Sequence, residues 1–153
     1  MTHIIDETDR RILTILQKDA SLSVDDISAA VHLSRNACWR RIKALEQAGI
    51  ITGRVALVDP AKVGLPLMAM VLIRTNAHDR NWMDQFQAAL RSLPEVVGAY
   101  RMTGELDYVL HVRVADVPAY DAFYKRLIAR ISVTDVSASF VMEEIKHTTA
   151  LPL

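Results

Sequence analysis

Two serine helix caps that stand only eleven residues apart constrain this chain more than any other feature of its sequence. Ser23 is followed three residues later by Asp26, the spacing of a capping box, and Ser34 provides a second N-cap. The helix between the caps therefore ends near Val31 and is followed by a tight turn. The sequence predicts a short helix, a turn and a longer helix from Arg35 to Ala48.

The residues on either side complete a three-helix pattern. Upstream, Ile12, Leu13 and Leu16 recur at helical spacing within the segment from Asp6 to Lys18, whose acidic start favours a helix N-terminus. Downstream, Gly49 follows the third helix where a C-terminal stop is expected. We interpret this part of the chain as a winged-helix-like helix-turn-helix domain.

The distribution of charge indicates a partner for the third helix. The chain carries 18 basic and 18 acidic residues, so its net charge favours neither nucleic acid nor a membrane. Between Asp26 and Glu46, however, the only charged residues are cations. An isolated cationic helix is more often a solvated face, but the short capped helix before it is typical of a motif whose second helix enters the major groove of DNA.

The polar side of the third helix carries groups that suit double-stranded DNA. An arginine can bond guanine O6 and N7 together, an asparagine can do the same for adenine N6 and N7, and groups at helix N-termini suit phosphates. Trp39 either stacks against a backbone sugar or shields the helix packing, and the sequence favours neither. The candidate DNA-binding residues are Ser23, Ser34, Arg35, Asn36, Trp39, Arg40, Arg41 and Lys43.

A second domain follows a linker that is rich in glycine and proline. Its apolar residues follow strand and helix periodicities in the order βαββαβ, which is typical of a ferredoxin-like domain, so the fold class is α+β. The predicted limits are 1–52 for the helix-turn-helix domain, 53–65 for the linker and 66–153 for the ferredoxin-like domain. The predicted elements are strands Leu67–Arg74, Val96–Met102, Tyr108–Val114 and Val136–Ile145, with helices Asn81–Ser92 and Pro118–Arg130.

The first predicted strand is apolar on both faces. Residues from Leu67 to Ile73 are apolar without interruption, so the face away from the two helices also needs cover. A second copy of the chain provides that cover most economically. We therefore expect a homodimer, which also places two reading helices on two half-sites of DNA.

The turn between the two central predicted strands is a candidate binding site for an amino acid. Backbone amides around Gly104 can receive a carboxylate, and Glu105 or Asp107 can receive an ammonium group. The alternative is that Gly104 only permits the turn and Asp107 only caps it. The sequence leaves both interpretations open.

Other classes of function find less support in the sequence. The histidines lack metal-ligand spacing, no phosphate-binding glycine loop is present, and Cys38 lies on an apolar stripe. Glu143 and Glu144 are expected to point to opposite faces of a strand. We therefore expect no enzyme activity, no metal and no cofactor. RNA binding stays an alternative, because RNA-recognition domains share the βαββαβ order, although their basic-glycine-aromatic run is missing here.

We expect a cytoplasmic protein that does not enter a membrane. The first residues lack the basic and apolar regions of a signal peptide, and the longest apolar run, Leu65 to Ile73, is interrupted by Pro66. A single cysteine excludes an internal disulfide, which fits a reducing compartment.

Five stretches of the sequence resemble the Lrp/AsnC family of leucine-responsive or feast/famine regulators, and together they extend over nearly the whole chain. They are IDETDRRIL at 5–13, LSRNACWRRI at 33–42, LEQAGII at 45–51, GELDY at 104–108 and VMEEIK at 141–146. The ending KHTTALPL at 146–153, with EVVG at 95–98, is most similar to the branch concerned with cysteine detoxification.

The resemblance implies a sequence-specific transcription regulator whose assembly or DNA affinity responds to a small effector, an amino acid. It implies a C-terminal RAM domain, dimers that assemble into octamers as tetramers of dimers, and effector binding between dimers near the hairpin turn. Family members often carry a Pro-Gly pair before the last strand, whereas this chain reads RISVTD at 130–135. The effector-binding residues implied are Tyr100, Met102, Thr103, Gly104, Glu105, Leu106, Asp107 and Tyr108.

Overall fold

A computed structural model describes residues 4–153, and the contacts among them divide the chain into two units. The first unit comprises the described residues up to Leu57 together with a C-terminal tail, Lys146–Leu153. The second unit is Val58–Ile145. The predicted domain limits stay a prediction, and residues 1–3 of the first predicted domain lie outside the described residues.

Three helices build the first unit: α1 (Glu7–Lys18), α2 (Val24–Ala30) and α3 (Arg35–Gln47). Ser23 and Asp26 form the predicted capping box, and Ser34 caps α3 by accepting a hydrogen bond from the Ala37 amide. The short second helix and the turn after it are therefore confirmed, with small shifts at the helix ends.

One apolar cluster holds these three helices together. Ile12, Ile27, Cys38 and Leu45 contribute to it from all three helices and are almost fully buried. Burial also raises the pKa of the Cys38 thiol, which fits the position of this cysteine on an apolar stripe. In the turn between α2 and α3, His32 adopts a left-handed conformation with φ of 56°.

The segment after α3 lies outside regular secondary structure. Gly49, with φ of 71°, follows the end of α3, and the Ile50 amide donates a 3.0 Å hydrogen bond to the Leu45 carbonyl. Residues 52–59 then form neither helix nor strand, and Val55 and Leu57 are largely exposed. A strand needs a neighbouring strand for its backbone hydrogen bonds, and none occurs among the described residues of the first unit.

The second unit has the predicted βαββαβ order. Its elements are β1 (Leu67–Arg74), α4 (Arg80–Arg91), β2 (Val96–Arg101), β3 (Tyr108–Val114), α5 (Val117–Ile128) and β4 (Asp135–Phe140). The four strands form one antiparallel sheet in the order β2-β3-β1-β4. The ferredoxin-like arrangement and the α+β class are therefore confirmed.

The two faces of this sheet differ in burial. Val71 of β1 and Leu110 of β3 lie opposite each other and are fully buried in one cluster with Phe86 of α4 and Phe123 of α5. Both helices therefore cover the same face. Met70 belongs to the other face, here called the outer face, where β1 side chains are only half-buried within a single chain.

The last strand is shorter than predicted. β4 ends at Phe140 instead of Ile145: its last paired residue lies opposite Ala69, and one further backbone bond joins the Val141 amide to the Met68 carbonyl. Glu143 and Glu144 consequently lie outside the sheet, so the expectation that they point to opposite faces of a strand is wrong.

Candidate nucleic-acid interface and effector turn

One side of α3 is buried and the other side is polar and exposed. Cys38, Ile42 and Leu45 pack into the first unit. The opposite side, here called the reading face, is formed by exposed residues, and the indole of Trp39 is half exposed. The residues of the reading face are Arg35, Asn36, Trp39, Arg40 and Lys43.

The cations on the reading face differ in how strongly they are held. Arg40 forms no ion pair and no side-chain hydrogen bond within residues 4–153, so its guanidinium is free to meet a ligand. Arg35 lies 3.1 Å from Asp25, but both side chains are about two-thirds exposed, so this pair is weak. Lys43 contacts Glu46 at 2.7 Å, and the hydrogen bond from Lys43 lowers the pKa of that carboxyl.

The two predicted hydroxyl contacts are helix caps. The Ser23 hydroxyl donates to Asp26 at 2.6 Å and accepts from the Asp26 amide, so both of its functions serve the capping box. The Ser34 hydroxyl accepts from the Ala37 amide at 3.2 Å, and its own proton is left for another acceptor. Both serines lie at helix N-termini, where the exposed amides favour anions.

Arg41 differs from its neighbours because it points away from the reading face. Its guanidinium donates to Asp6 and to Asp9, each at 2.8 Å, and Asp9 is almost completely buried. The hydrogen bond that Arg41 donates to Asp9, followed by the one to Asp6, raises the pKa of Arg41. The contact joins α3 to the N-terminal cap of α1, so Arg41 positions the helix that carries the reading face.

The Asp6 cap makes the stability of the first unit depend on pH. The Asp9 amide hydrogen bond, with help from Arg41, holds the pKa of Asp6 below its usual 3.8. A carboxyl with a lowered folded pKa stabilises the fold above its unfolded pKa, and this contribution is lost as the pH falls through the folded pKa.

The substitution Asp6→Asn tests this dependence, because asparagine caps helices well but has no charge to lose. We expect the midpoint of thermal unfolding to fall more steeply below about pH 4 in the wild type than in the variant. Thermal scans followed by circular dichroism between about pH 2 and about pH 7 measure this difference. Parallel curves over that interval would contradict the role given to Asp6.

The hairpin turn between β2 and β3 is held by backbone and carboxylate hydrogen bonds. Gly104 has φ of 106°, a conformation that side-chain-bearing residues rarely adopt. One Asp107 oxygen accepts from the Thr75 amide at 2.8 Å, and the Met102 amide donates to the Asp107 carbonyl. Asp107 therefore stabilises the turn, which is the role that one of the two sequence interpretations proposed for it. Glu105 is exposed and lies 3.7 Å from Arg74.

The predicted effector residues do not all face the same way. Tyr108 is buried in the core, where its ring lies 4.6 Å from that of Phe86. Tyr100 and Met102 are about half exposed. Thr103, Gly104 and Glu105 are exposed, while Leu106 and Asp107 are half-buried.

A cavity of about 220 Å³ lies next to this turn, between α4 and the edge strand β2. Tyr100 and Tyr108 line it, together with side chains that the sequence analysis did not single out, among them Met83 and Gln87 of α4. Met83 and Gln87 are four residues apart and therefore share one helix face, and this spacing was the only sequence feature that linked them to a common site. Arg101 also lines the cavity and adds a cation.

Comparison with known proteins shows the family of this chain. Residues 68–151 match the model of the Lrp/AsnC ligand binding domain, and residues 5–52 match that of a winged helix-turn-helix DNA-binding domain. The chain belongs to the Lrp/AsnC family. The family expected from the sequence is therefore confirmed.

Curated relatives support the same assignment over the full length. The DNA-binding transcriptional activator DecR of Escherichia coli is 47% identical over 151 residues, which cover 98% of this chain and 99% of the relative. The glutamate uptake regulatory protein of Zymomonas mobilis is 46% identical over 153 residues, 100% of this chain and 93% of the relative.

Solved structures agree with the fold. An AsnC family transcriptional regulator from Agrobacterium tumefaciens has a TM-score of 0.93 at 51% identity, with 96% of each chain covered. A transcriptional regulator from Neisseria meningitidis, solved with L-methionine, has a TM-score of 0.93 at 38% identity, with 97% of each chain covered.

This Lrp/AsnC protein is a DNA-binding transcription regulator and not an enzyme, as expected, because its relatives are regulators and its first domain matches a DNA-binding model. Within residues 4–153, no cluster of three or more histidine, cysteine or acidic side chains is arranged to hold a metal ion. None of the helices described there is both long and apolar enough to span a membrane.

Proposed function

We propose that this protein reads a specific operator through the reading face of α3 and that an amino acid bound near the β2–β3 turn changes its assembly on DNA. Arg40 carries this proposal: it has no ion pair within residues 4–153 and lies beside Asn36 on the exposed side of α3. Arg35, Trp39 and Lys43 complete the face, and Ser23 and Ser34 lie at helix ends that suit phosphates. Arg41 is assigned the role of positioning α3.

A titration with two nucleic acids tests the DNA assignment against RNA binding. The outer face of the two central strands, β1 and β3, offers methionine, leucine, valine, histidine and arginine side chains instead of a stacking platform of aromatic rings. We therefore expect fluorescence anisotropy to show salt-sensitive binding to a promoter duplex and much weaker binding to single-stranded RNA of equal length. Preferential RNA binding would overturn the assignment.

We further propose that the protein is a homodimer and that its dimers assemble into octamers. The outer face supports the dimer, because Met68, Met70 and Leu72 are half-buried in a single chain and would be covered by a second copy. Light scattering during gel filtration is expected to give the mass of eight chains for the octamer, or of two chains for a separate dimer, with 17.1 kDa for each chain. A mass of one chain at micromolar concentration would contradict the dimer.

An amino acid is the effector class that the turn supports best. The exposed glycine turn offers backbone amides for a carboxylate, and Glu105 offers a charge for an ammonium group. The adjacent cavity, lined by Tyr100 and Met83, offers apolar surface for a side chain. The Neisseria regulator solved with L-methionine and the Zymomonas regulator of glutamate uptake support the same class.

The substitution Gly104→Ala tests the turn. Its Cβ would meet open space, but φ of 106° is strained for alanine, so the turn is expected to change shape while the core stays folded. We expect at least about tenfold weaker binding of the tightest ligand among L-methionine, L-cysteine and L-glutamate, measured by calorimetry. Gly53→Ala is the matched control, because Gly53 also lies in open space but without a positive φ. Equal affinities in both variants would remove the turn from the site.

We also propose a cytoplasmic location. The curated relatives are regulators from bacteria such as Escherichia coli and Zymomonas mobilis, whose DNA lies in the cytoplasm.

A further inference from the structure

The C-terminal tail, Lys146–Leu153, belongs by its contacts to the first unit, although the residues before it belong to the second. The Gln17 side chain of α1 bonds to the backbone of this tail. The Leu151 amide donates to Gln17 Oε1 at 2.7 Å, and Gln17 Nε2 donates to the Leu151 carbonyl at 3.3 Å. A glutamine amide carries the same donor and acceptor as a peptide group, so Gln17 pairs with Leu151 as a neighbouring strand would.

Apolar contacts accompany these hydrogen bonds. Leu151 and Leu153 line an open cleft of about 880 Å³ whose other walls include Leu13 and Leu16 of α1 and Ile50 after α3. Leu151 is still 69% exposed and Leu153 is 45% exposed, so the tail is docked without being buried. The end of the tail around Leu151, where two exposed hydrogen bonds and partial apolar contact are described, opens at low free-energy cost.

The chain connects the two units twice. The chain passes from the first unit to the second after Leu57 and returns to the first unit after Ile145. The first unit is therefore tethered to the second at two points while the tail is docked, and at one point when the tail is released. Fewer tethers leave the DNA-binding helices of a dimer freer to adapt to different half-site spacings.

We propose that the tail is a reversible strap on the DNA-binding unit, and that Gln17 is the residue that fastens it. The docked strap restricts the half-site spacings that a dimer accepts, and its release relaxes this restriction. This inference rests on the proposed function, because spacing matters only if two reading faces bind one operator. Any effector that favours one state of the tail would thereby change operator choice without touching α3.

The substitution Gln17→Met tests the strap in the full-length protein, because methionine keeps the length of the side chain and removes both hydrogen-bonding groups. Leu151→Pro is a second variant that removes the tail amide and leaves α1 unchanged. Gln85→Met is the matched control, since Gln85 is an exposed helical glutamine of α4 in the second unit. Hydrogen–deuterium exchange of the tail peptide and DNA binding are measured on all four proteins.

The DNA probes are a duplex that the wild type selects from a randomised library, derivatives with the half-sites moved apart one base pair at a time, and a single half-site. In both strap variants we expect faster tail exchange, unchanged affinity for the single half-site, and at least about fivefold less discrimination between the best and worst spacings. Unchanged tail exchange, or an unchanged spacing profile despite faster exchange, would overturn the strap. A wild type that selects no duplex would instead contradict the proposed function, while the exchange data would still show whether Gln17 holds the tail.

Discussion

Replacing Arg41 with methionine is expected to lower the free energy of unfolding of the first unit by about 2 kcal/mol, the largest stability effect that we predict for a charged residue. Asp9 is almost completely buried, and the guanidinium of Arg41 donates to it at 2.8 Å. Removing one partner of such a pair costs more than the pair contributes, because a carboxylate in a dry environment loses a charged donor. Solvent partly screens the guanidinium, which is 35% exposed, so the effect falls below that of a fully buried pair.

Arg40→Met provides the control for this prediction, because it removes the same group from the adjacent position of the same helix. Arg40 has no ion pair within the described part of the chain, so its loss is expected to leave stability nearly unchanged. Urea unfolding followed by amide exchange of α3 peptides measures the first unit separately from the second. Equal stabilities of the two variants would contradict the positioning role of Arg41.

For DNA affinity the order of the two variants is expected to reverse, with the larger loss in Arg40→Met. Arg40→Met should weaken binding to the selected operator by about tenfold to a hundredfold, the range typical of one lost arginine contact to a base. If Arg40 contacts a phosphate instead, the loss should be similar on all sequences and the salt dependence should decrease by about one ion. Arg40→Lys separates the two cases, since lysine keeps the charge but loses the planar double contact.

Anisotropy titrations at several salt concentrations, on the operator and on a scrambled duplex, measure these effects. Asn36→Ala is expected to reduce the preference for the operator more than it reduces affinity for the scrambled duplex, because an amide reads bases without carrying charge. Wild-type affinity and preference in both Arg40→Met and Asn36→Ala would show that the reading face does not read DNA.

Most of the regular structure of this chain could be predicted from short stretches of sequence. The caps at Ser23 and Ser34 fixed where α2 and α3 begin, and Gly49 marked the end of α3. β1 and β3 were predicted with the bounds that they have. These elements depend on hydrogen bonds and periodicities that span only a few residues, so the local sequence contains the information.

The prediction of site residues was weaker wherever a role depends on the direction of a side chain. Arg40 and Arg41 look alike in sequence, yet within residues 4–153 Arg40 has no ion pair, whereas Arg41 bonds to the N-terminal end of α1. Tyr108 alternates with Leu110 and Val112 on the buried face of β3, and it also lines the cavity beside the turn with which it was grouped.

The sequence by itself determined the order of helices and strands, the cationic side of α3 and the family, because these are encoded by neighbouring residues and by recognisable motifs. The tertiary structure decided which groups meet: Arg41 reaches a carboxylate 35 residues away, and Gln17 reaches a backbone group 134 residues away. It also decided that β4 ends at Phe140, opposite Ala69 of β1, because strand pairing depends on two distant segments. Contacts between distant residues depend on how the elements pack, and no local pattern specifies that packing.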